Sequence, residues 1–296
     1  MQVVVAGATG FVGSEVVRQA LAAGHEVFAL VRVEGEATFS PEDRATGRLT
    51  VLPFGADPEV LMAGFGLEPG PKVINAAGLN RERPGADLAR AHPGVAREVV
   101  ALAEATRAVR LIHLAPLDST GDDAWSRSKA EAEAFIRAAA IPTTILRCAP
   151  LFGPGDTLLD EIGAWMMRSP LIPRFLEDVR LDPLAVEDAA EVLLRVEVPE
   201  ASLGGAPWTW GRLLEACAAA AGKSLVGPRL SPESARAWGT RLGHRAFWSD
   251  LVPFTAEGFD RHAKGYAVDP NDAEDLLGRP PVAVEAYLAE GWAYRA

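Results

Sequence analysis

The feature that most constrains this chain is a run of three glycines between a short apolar segment and a longer amphipathic one. Residues 3–6 are apolar and valine-rich, as in a buried strand, and residues 11–23 carry apolar side chains at helical spacing. Gly7, Gly10 and Gly13 connect the two segments. In such a strand–turn–helix the first glycine permits a tight turn, the second lets the backbone approach a pyrophosphate, and the third allows close packing. The spacing predicts a dinucleotide-binding turn, and the alternative is a tight turn that binds nothing.

The start of the predicted helix is expected to contribute to the same site. The first turn of a helix offers unpaired N–H groups and a partial positive charge, and both favour a phosphate. Thr9, Phe11 and Val12 lie in this stretch beside the glycines. We therefore predict that the backbone of these three residues also contacts the cofactor.

Short apolar runs alternate with helical patterns through the first 150 residues. Strands are predicted at residues 3–6, 27–31, 49–52, 73–76, 111–114 and 143–146, and helices at residues 11–23, 94–107 and 126–139. Continuous apolar strands separated by helices indicate a parallel sheet that is covered on both faces. We expect an α/β fold with a doubly wound parallel sheet, forming a Rossmann domain over residues 1–155.

The pattern changes after residue 155. Helical patterns dominate there, at residues 158–168, 186–196 and 210–221, and tryptophans are concentrated between residues 208 and 248. We expect a smaller, mostly helical C-terminal region over residues 156–296 that supplies substrate or lid contacts. Residues 182–200 are expected to return to the Rossmann core, and the tryptophan-rich stretch is expected to provide core and lid packing rather than a platform for stacking bases.

The residue after the second strand predicts which dinucleotide binds. NAD-binding versions of the motif place an acidic residue about 20 positions past the glycines, to hold the ribose 2′-hydroxyl. Val31 occupies that position here, and Arg32 follows it. A guanidinium pairs well with a 2′-phosphate, so the sequence favours NADP(H), with NAD(H) possible. The alternative is that Arg32 is a solvated residue at a strand end.

Composition excludes several other classes of protein. Lys and Arg number 29 against 40 Asp and Glu, a net charge of −11, which argues against nucleic acid and anionic membranes as partners. No apolar run approaches the ~20 residues of a membrane span, and the first residues lack a signal peptide's charged region. Cys148 and Cys217 lack metal-ligand spacing, so no metal is predicted. A cytoplasmic, soluble protein is expected.

Further motifs resemble the extended and atypical short-chain dehydrogenase/reductase superfamily. Residues 73–78 are similar to its fourth-strand motif, residues 126–133 to its active-site helix, residues 146–156 to its LRP…GPGD segment, and residues 186–190 to the start of a later helix. The resemblance is greatest to the atypical branch of NAD-dependent epimerase/dehydratase-like proteins that includes the NADPH-binding accessory subunit of respiratory complex I. It implies that Ala76, Ala77 and Gly78 lie against the cofactor.

The chain departs from this superfamily at the residues that perform proton transfer. The resemblance implies a Tyr-x-x-x-Lys pair on one helical face, with Tyr as acid/base, but Trp125 precedes Lys129 here. An indole cannot cycle a proton as a phenol does. The first tyrosine of the chain is Tyr266, and Ala115 occupies the place of the superfamily's serine. The usual proton-transfer residues are therefore missing.

Lys129 is the remaining candidate from that pair. The resemblance implies that it contacts the nicotinamide ribose, and a lysine in a desolvated pocket can itself act as a general acid. The alternative is a surface lysine on a helix that also carries Glu131 and Glu133.

Other polar residues nearby receive simpler interpretations. Ser119 and Thr120 could supply a hydroxyl only if their loop folds back. His113 ends an apolar strand and is interpreted as a satisfied core histidine, whereas His92 is a weak candidate for an active-site contact. Cys148 is expected to be a small buried hydrophobe.

Three functions follow from these observations and stay open at this point. The first is a protein that binds NADP(H) with little or no turnover and has a sensing, structural or assembly role. The second is an active oxidoreductase or epimerase-like enzyme that uses Lys129 in place of the tyrosine. The third is a structural subunit with an empty cofactor site. A protein partner or a homodimer is compatible with each of them.

Overall fold

A computed structural model describes residues 1–32, 39–79, 87–156, 158–168, 174–242 and 256–290. The chain divides into two compact units. The first comprises Met1–Cys148 and Val186–Ser202, and the second comprises Ala149–Ala185 and Leu203–Ala296. The predicted assignment of a cofactor domain to residues 1–155 and a substrate or lid region to residues 156–296 stays a prediction.

The first unit is built on a seven-stranded parallel sheet, which confirms the predicted fold class. Its strands in chain order are β1 Gln2–Ala6, β2 Glu26–Val31, β3 Leu49–Pro53, β4 Lys72–Asn75, β5 Arg110–Pro116, β6 Thr143–Cys148 and, returning later, β10 Glu200–Leu203. They lie in the order β10-β6-β5-β4-β1-β2-β3. Val3, Val4 and Val5 are fully buried, as expected of a central strand covered on both faces.

The strand order reverses between β1 and β4, and this position determines where a ligand can bind. The chain moves outward from β1 to β2 and β3, then returns to β4 on the other side of β1. Ala6 at the end of β1 pairs with Asn75 at the end of β4. The loops that follow these two strands therefore diverge at one edge of the sheet, leaving the crevice in which doubly wound folds bind their ligands.

Helices cover the sheet of the first unit. They are α1 Phe11–Ala22, α2 Pro41–Ala45, α3 Pro58–Phe65, α4 Val95–Ala105, α5 Ala124–Arg137 and α7 Val186–Arg195. α7 packs against α1, and Gln19 Nε2 donates to the Glu187 carbonyl at 2.9 Å. The buried Lys72 Nζ donates to the Leu194 carbonyl at the end of α7 at 2.8 Å. Residues 186–202 thus return to the first unit.

Two local departures from the predicted elements have identifiable causes. A π-helical turn, Arg90–Gly94, precedes α4, because Pro93 lies inside it and cannot donate a backbone hydrogen bond. The short helices α2 and α3 were not predicted. Each begins with a capping side chain followed by proline: Ser40 accepts from the Asp43 N–H, and Asp57 accepts from the Glu59 N–H.

The second unit has two small two-stranded sheets among its helices. β7 Leu151–Phe152 pairs with β9 Leu184–Ala185, and β8 Arg180–Leu181 pairs with β11 Trp208–Thr209. The helices are α6 Leu159–Arg168, α8 Trp210–Ala220, α9 Pro232–Leu242, α10 Ala256–Lys264, α11 Ala273–Leu277 and α12 Val284–Ala289.

Several residues that were predicted to lie in the core can be compared with their burial in the structure. Trp208 and Trp210 are buried in the second unit's core, as predicted, while Trp248 lies outside the described residues. Cys148 is buried, also as predicted, and burial raises the pKa of its thiol to about 12. None of the described helices is both long enough and apolar enough to cross a lipid bilayer.

Candidate active site

The glycine loop after β1 is packed backbone against backbone. Gly7 has φ +77°, and a Cβ there would lie 2.7 Å from the Ala77 Cα in the loop after β4. A Cβ on Gly13 would lie 2.0 Å from the Gly7 carbonyl oxygen. The Gly10 N–H donates to that same oxygen at 2.9 Å. Side chains at the first and third glycines would therefore collide with main chain, which cannot move aside as a flexible side chain can.

The middle glycine differs, because it is exposed and has a single, less severe backbone contact. Gly10 is exposed, and a Cβ there would approach only the Gly7 carbonyl, at 3.2 Å. Gly10 caps α1 but has no side chain to accept the first N–H groups, and the first turn carries no acidic residue. Thr9 is exposed, Phe11 is half-buried and Val12 is buried. An open helix N-terminus without a competing carboxylate fits the phosphates of a dinucleotide.

Arg32 lies at the same edge of the sheet. It follows β2 directly, and Leu30 of that strand pairs with Ala6, the residue before the glycine loop. Arg32 is exposed and has no hydrogen bond or ion pair with any other residue that the structure describes.

The loop after β4 is anchored by a buried amide. Asn75 Oδ1 accepts from the Ala77 N–H at 3.2 Å, and Asn75 Nδ2 donates to His113 Nδ1 at 3.1 Å. Ala76 and Ala77 are half-buried and Gly78 is exposed. The predicted cofactor contacts after β1 and β4 thus lie beside each other.

His113 is buried, but only one of its ring nitrogens has a hydrogen-bond partner. Because Nδ1 accepts from Asn75, the proton lies on Nε2, which has no partner among the described residues. Burial lowers the pKa of this histidine to about 3, so the ring is neutral. The prediction of a core histidine is confirmed, whereas the prediction that it is satisfied is wrong.

Trp125 and Lys129 lie one turn apart at the start of α5. Asp123 caps this helix by accepting from the Trp125 N–H at 3.0 Å and the Ser126 N–H at 3.2 Å, which fixes where the helix begins. Spacing of four residues places Trp125 and Lys129 on one face, and the Lys129 Nζ lies 5.8 Å from the centre of the Trp125 ring.

Three side chains, His92, Trp125 and Ser128, hold Leu79 in the loop after β4, and we call them the Leu79 clamp. The Trp125 Nε1–H donates to the Leu79 carbonyl at 2.9 Å, and the Leu79 N–H donates to His92 Nε2 at 3.1 Å. His92 Nε2 also lies 3.1 Å from the Leu79 carbonyl oxygen, and Nδ1 lies 2.7 Å from Ser128 Oγ, so the ring contacts both backbone groups of Leu79 and is held from behind by Ser128. Ser128 Oγ in turn donates to the Trp125 carbonyl at 2.8 Å.

Lys129 is buried rather than on the surface, so the surface-lysine alternative is wrong. Only 9% of it is exposed, and its Nζ donates no hydrogen bond to any described residue. Burial lowers the pKa of Lys129 to about 8, although Glu133 acts in the opposite direction. A buried ammonium that loses its proton near neutral pH can act as an acid in catalysis.

Glu133, one turn beyond Lys129, is occupied by other partners. Arg147 donates to both of its carboxylate oxygens, at 2.7 and 3.2 Å, and Ser119 Oγ donates to it at 2.9 Å. Thr120 Oγ1 donates to Asp118. Both hydroxyls that could have replaced the missing serine are therefore bound to carboxylates.

Sequence reasoning missed Asn75, Ser128 and Glu133. The available signal was a polar residue where a buried position was expected: Asn75 ends an apolar strand, and Glu133 lies on the buried side of a helix. Nothing in the sequence pairs Glu133 with Arg147, because the contact forms between α5 and β6.

Comparison with known proteins supports a relationship to one enzyme family. The family model described as "NAD dependent epimerase/dehydratase family" matches residues 3–116. A ceramide reductase of Caulobacter vibrioides (strain NA1000 / CB15N) is 31% identical over 232 residues, which cover 70% of this chain and 67% of that protein.

Solved structures share the fold at low sequence identity. A nucleoside-diphosphate-sugar epimerase from Staphylococcus aureus superposes with a TM-score of 0.71 at 16% identity, covering 98% of this chain and 100% of the other. UDP-glucuronic acid 4-epimerase from Bacillus cereus, solved with UDP-glucuronic acid and NAD, gives a TM-score of 0.69 at 15% identity, covering 100% and 99%. At these identities the similarity concerns the fold.

Proposed function

This chain belongs to the NAD-dependent epimerase/dehydratase family of the short-chain dehydrogenase/reductase superfamily, and from that premise we propose that it reduces a carbonyl group with NADP(H). In this proposal Lys129 is the proton donor. The observation that carries it is the Lys129 side chain, which is only 9% exposed, has no hydrogen-bond acceptor among the described residues and has a pKa lowered to about 8.

The residues around the glycine loop would hold the dinucleotide. The N–H groups at Phe11 and Val12 would face the pyrophosphate, since the helix start is uncapped by any side chain. Arg32 would pair with a 2′-phosphate. Lys129 would contact the nicotinamide ribose, and the loop at Ala76–Gly78 would lie against the cofactor, as the resemblance to the superfamily implies.

Reduction needs a proton as well as a hydride. When bound, the reduced nicotinamide supplies a hydride to the carbonyl carbon. Lys129 Nζ would give a proton to the carbonyl oxygen, so that the C=O bond becomes a CH–OH group and the amine is left neutral. A pKa near 8 keeps most of the amine protonated at neutral pH while making proton transfer easier than from an ordinary lysine. The relative's name, a reductase, supports reduction over epimerisation.

The cofactor assignment predicts different responses to NADPH and NADH. Replacing Arg32 with Gln removes one charge-assisted pairing, and we expect NADPH affinity to fall about 10- to 100-fold while NADH affinity changes little. Calorimetric titration of both nucleotides measures this. Arg97→Gln is the matched control, because Arg97 is an exposed arginine that pairs with Glu131. Equal losses for both nucleotides in Arg32→Gln would contradict the assignment.

The proton-donor assignment is tested by replacing one lysine at a time. Lys129→Met should lower kcat for NADPH-dependent reduction about 10²- to 10⁴-fold, the usual contribution of a general acid. Lys264→Met is the control, since Lys264 is exposed on α10. A panel of ketones and aldehydes is followed by the loss of NADPH absorbance. Unchanged turnover in Lys129→Met would remove Lys129 from the reaction.

A second candidate function is NADP(H) binding with little turnover, in a sensing, structural or assembly role. The observation that favours it is that Trp125 Nε1–H and the Ser119 hydroxyl, at or near the two substituted positions, both donate to protein acceptors. Tight NADPH binding with no turnover on any carbonyl in the panel would support this function. Binding of neither nucleotide would instead support a structural subunit.

A further inference from the structure

One residue of the loop after β4 has both of its backbone groups held by side chains. The Leu79 N–H and carbonyl bond to His92 and Trp125, which belong to the π-helical turn before α4 and to α5. Ser128 connects these two side chains from within α5. His92 and Ser128 are buried, so these bonds are shielded from competition with water. The loop is therefore fixed at Leu79 from two different elements.

Fixing Leu79 also fixes its neighbour Gly78, which lies beside the Lys129 ammonium. A Cβ on Gly78 would lie 3.0 Å from Lys129 Nζ and 3.9 Å from His92 Nε2. The φ angle of Gly78 is outside the left-handed region, so its backbone conformation does not require glycine. A Cβ here would press on the flexible end of the Lys129 side chain, because the Lys129 ammonium lies against this backbone.

The charges around Lys129 come from several elements. Glu133 lies on α5 and raises the lysine pKa, while Arg147 from β6 and Arg137 from α5 pair with that carboxylate. His92 and His113 are both neutral, because burial lowers the pKa of each to about 3. Burial is the larger influence on Lys129, so its protonation depends on how closely the loop covers it.

We propose that His92 and Trp125 are positioning residues that hold Gly78 against the Lys129 ammonium by fixing both backbone groups of Leu79. Trp125 occupies the position of the superfamily's catalytic tyrosine, but in this proposal its N–H binds the Leu79 carbonyl instead of acting on substrate. Loss of either bond lets the loop move and lets water reach Lys129. The consequence for catalysis rests on the proposed function, whereas the effect on Lys129 does not.

The test follows the protonation of Lys129 directly. The chain has only four lysines, so ¹³Cε-lysine labelling gives few NMR signals, and Lys129→Met assigns the one of interest. In the intact protein this signal should titrate near pH 8. His92→Ala and Trp125→Phe should move its midpoint towards the ordinary value of 10.5. His92→Gln, which restores an acceptor for the Leu79 N–H, should bring it part of the way back.

Two further measurements separate positioning from a general loss of structure. Trp125→Phe keeps an aromatic ring and removes only the N–H, so it serves if His92→Ala does not fold. Gly78→Ala should shift the Lys129 signal with little change in thermal stability, because the new methyl meets the flexible end of a side chain. An unchanged Lys129 midpoint in folded Trp125→Phe and folded His92→Ala would overturn the proposal.

The same set of variants distinguishes this proposal from the proposed function. If no carbonyl is reduced but the clamp variants still move the Lys129 midpoint, the positioning role stands and the reductase function fails. If turnover is found and falls in Lys129→Met while the clamp variants leave both midpoint and kcat unchanged, the reductase function stands and the clamp proposal fails. A fall in kcat without a rise in KM, accompanied by the shifted midpoint, supports both.

Discussion

At the scale of single residues, the lysines of this chain differ in what their ammonium groups contact. Lys72 is buried, but it donates to the Leu194 carbonyl, and Lys223 donates to the Met166 carbonyl. Lys264 is exposed on α10. Lys129 is buried and, unlike Lys72, has no hydrogen-bond acceptor for its ammonium among the described residues. We therefore expect the protonation state of Lys129 to determine how turnover depends on pH.

The pH dependence of turnover follows from that protonation. The donor form of Lys129 is the ammonium, and burial lowers its pKa to about 8. We therefore expect kcat for NADPH-dependent reduction to be flat below pH 7 and to fall about tenfold per pH unit above pH 8. An ordinary lysine would give a flat profile to about pH 10.

Steady-state rates between pH 6 and pH 10 measure this profile. NADPH affinity over the same range is the control, because a loss of cofactor binding would imitate a loss of the proton donor. A profile that stays flat to pH 10 with the cofactor bound would contradict the assignment of Lys129.

At the scale of elements, the glycine loop joins β1 to α1 through contacts that differ at each glycine. A Cβ on Gly13 would overlap the Gly7 carbonyl and a Cβ on Gly7 would overlap the loop after β4, whereas a Cβ on the exposed Gly10 would lie 3.2 Å from the Gly7 carbonyl oxygen. Gly7 and Gly13 are thus required by close backbone contacts, whereas the contact at Gly10 is looser and its surface is exposed. The contribution of each glycine to stability and its contribution to nucleotide affinity can be measured separately.

Three alanine variants separate these requirements. Gly13→Ala should cost about 3 kcal/mol of unfolding free energy, because its Cβ would overlap the Gly7 carbonyl at 2.0 Å. Gly24→Ala, a control with φ +80° and no neighbour within 4 Å, should cost only about 1 kcal/mol and leave nucleotide affinity unchanged. Gly10→Ala should cost less stability than Gly13→Ala, because its Cβ would lie 3.2 Å rather than 2.0 Å from the Gly7 carbonyl oxygen, and it should weaken NADPH binding.

Urea unfolding and calorimetric titration on the same samples provide both readouts. Full NADPH affinity in a folded Gly10→Ala variant would show that the pyrophosphate does not approach this glycine.

Local signals explain which elements could be predicted from the sequence. The strands around Val3 and Val27 were predictable because their apolar runs are continuous, and the glycine loop because its spacing is confined to seven residues. The Leu79 clamp was not predictable, since it joins Leu79, His92 and Trp125 through the packing of three separate segments. The burial of Lys129 depends on the same packing, so periodicity along α5 does not report it.

At the scale of the whole molecule, the first unit is discontinuous in sequence. Its sheet ends with β10 and its α1 is covered by α7, both from residues 186–202, after the chain has formed part of the second unit. α7 contributes six buried apolar residues to the unit, Val186, Ala189, Ala190, Val192, Leu193 and Leu194.

A chain that ends at residue 155 should therefore fail to unfold cooperatively. It would lack the partner strand of β6 and the helix that covers α1, and burial of that apolar surface stabilises the fold. Urea unfolding followed by circular dichroism measures this. The matched control joins residue 148 to residue 186 through a flexible Gly/Ser linker and ends at residue 202, which should restore a cooperative transition. Cooperative unfolding of the shorter chain at full-length stability would contradict the expectation.

The return of α7 also sets the order of events when the protein is made. The bonds from Gln19 and Lys72 to α7 span 168 and 122 residues of sequence. At about 5–20 residues per second, a ribosome takes roughly 3–10 seconds to add the residues between 148 and 202. During that interval the apolar face of α1 is uncovered on the nascent chain and exposed to chaperones and proteases. Substitutions that weaken α7 should therefore reduce the yield of folded protein in cells more than the nucleotide affinity of the molecules that fold.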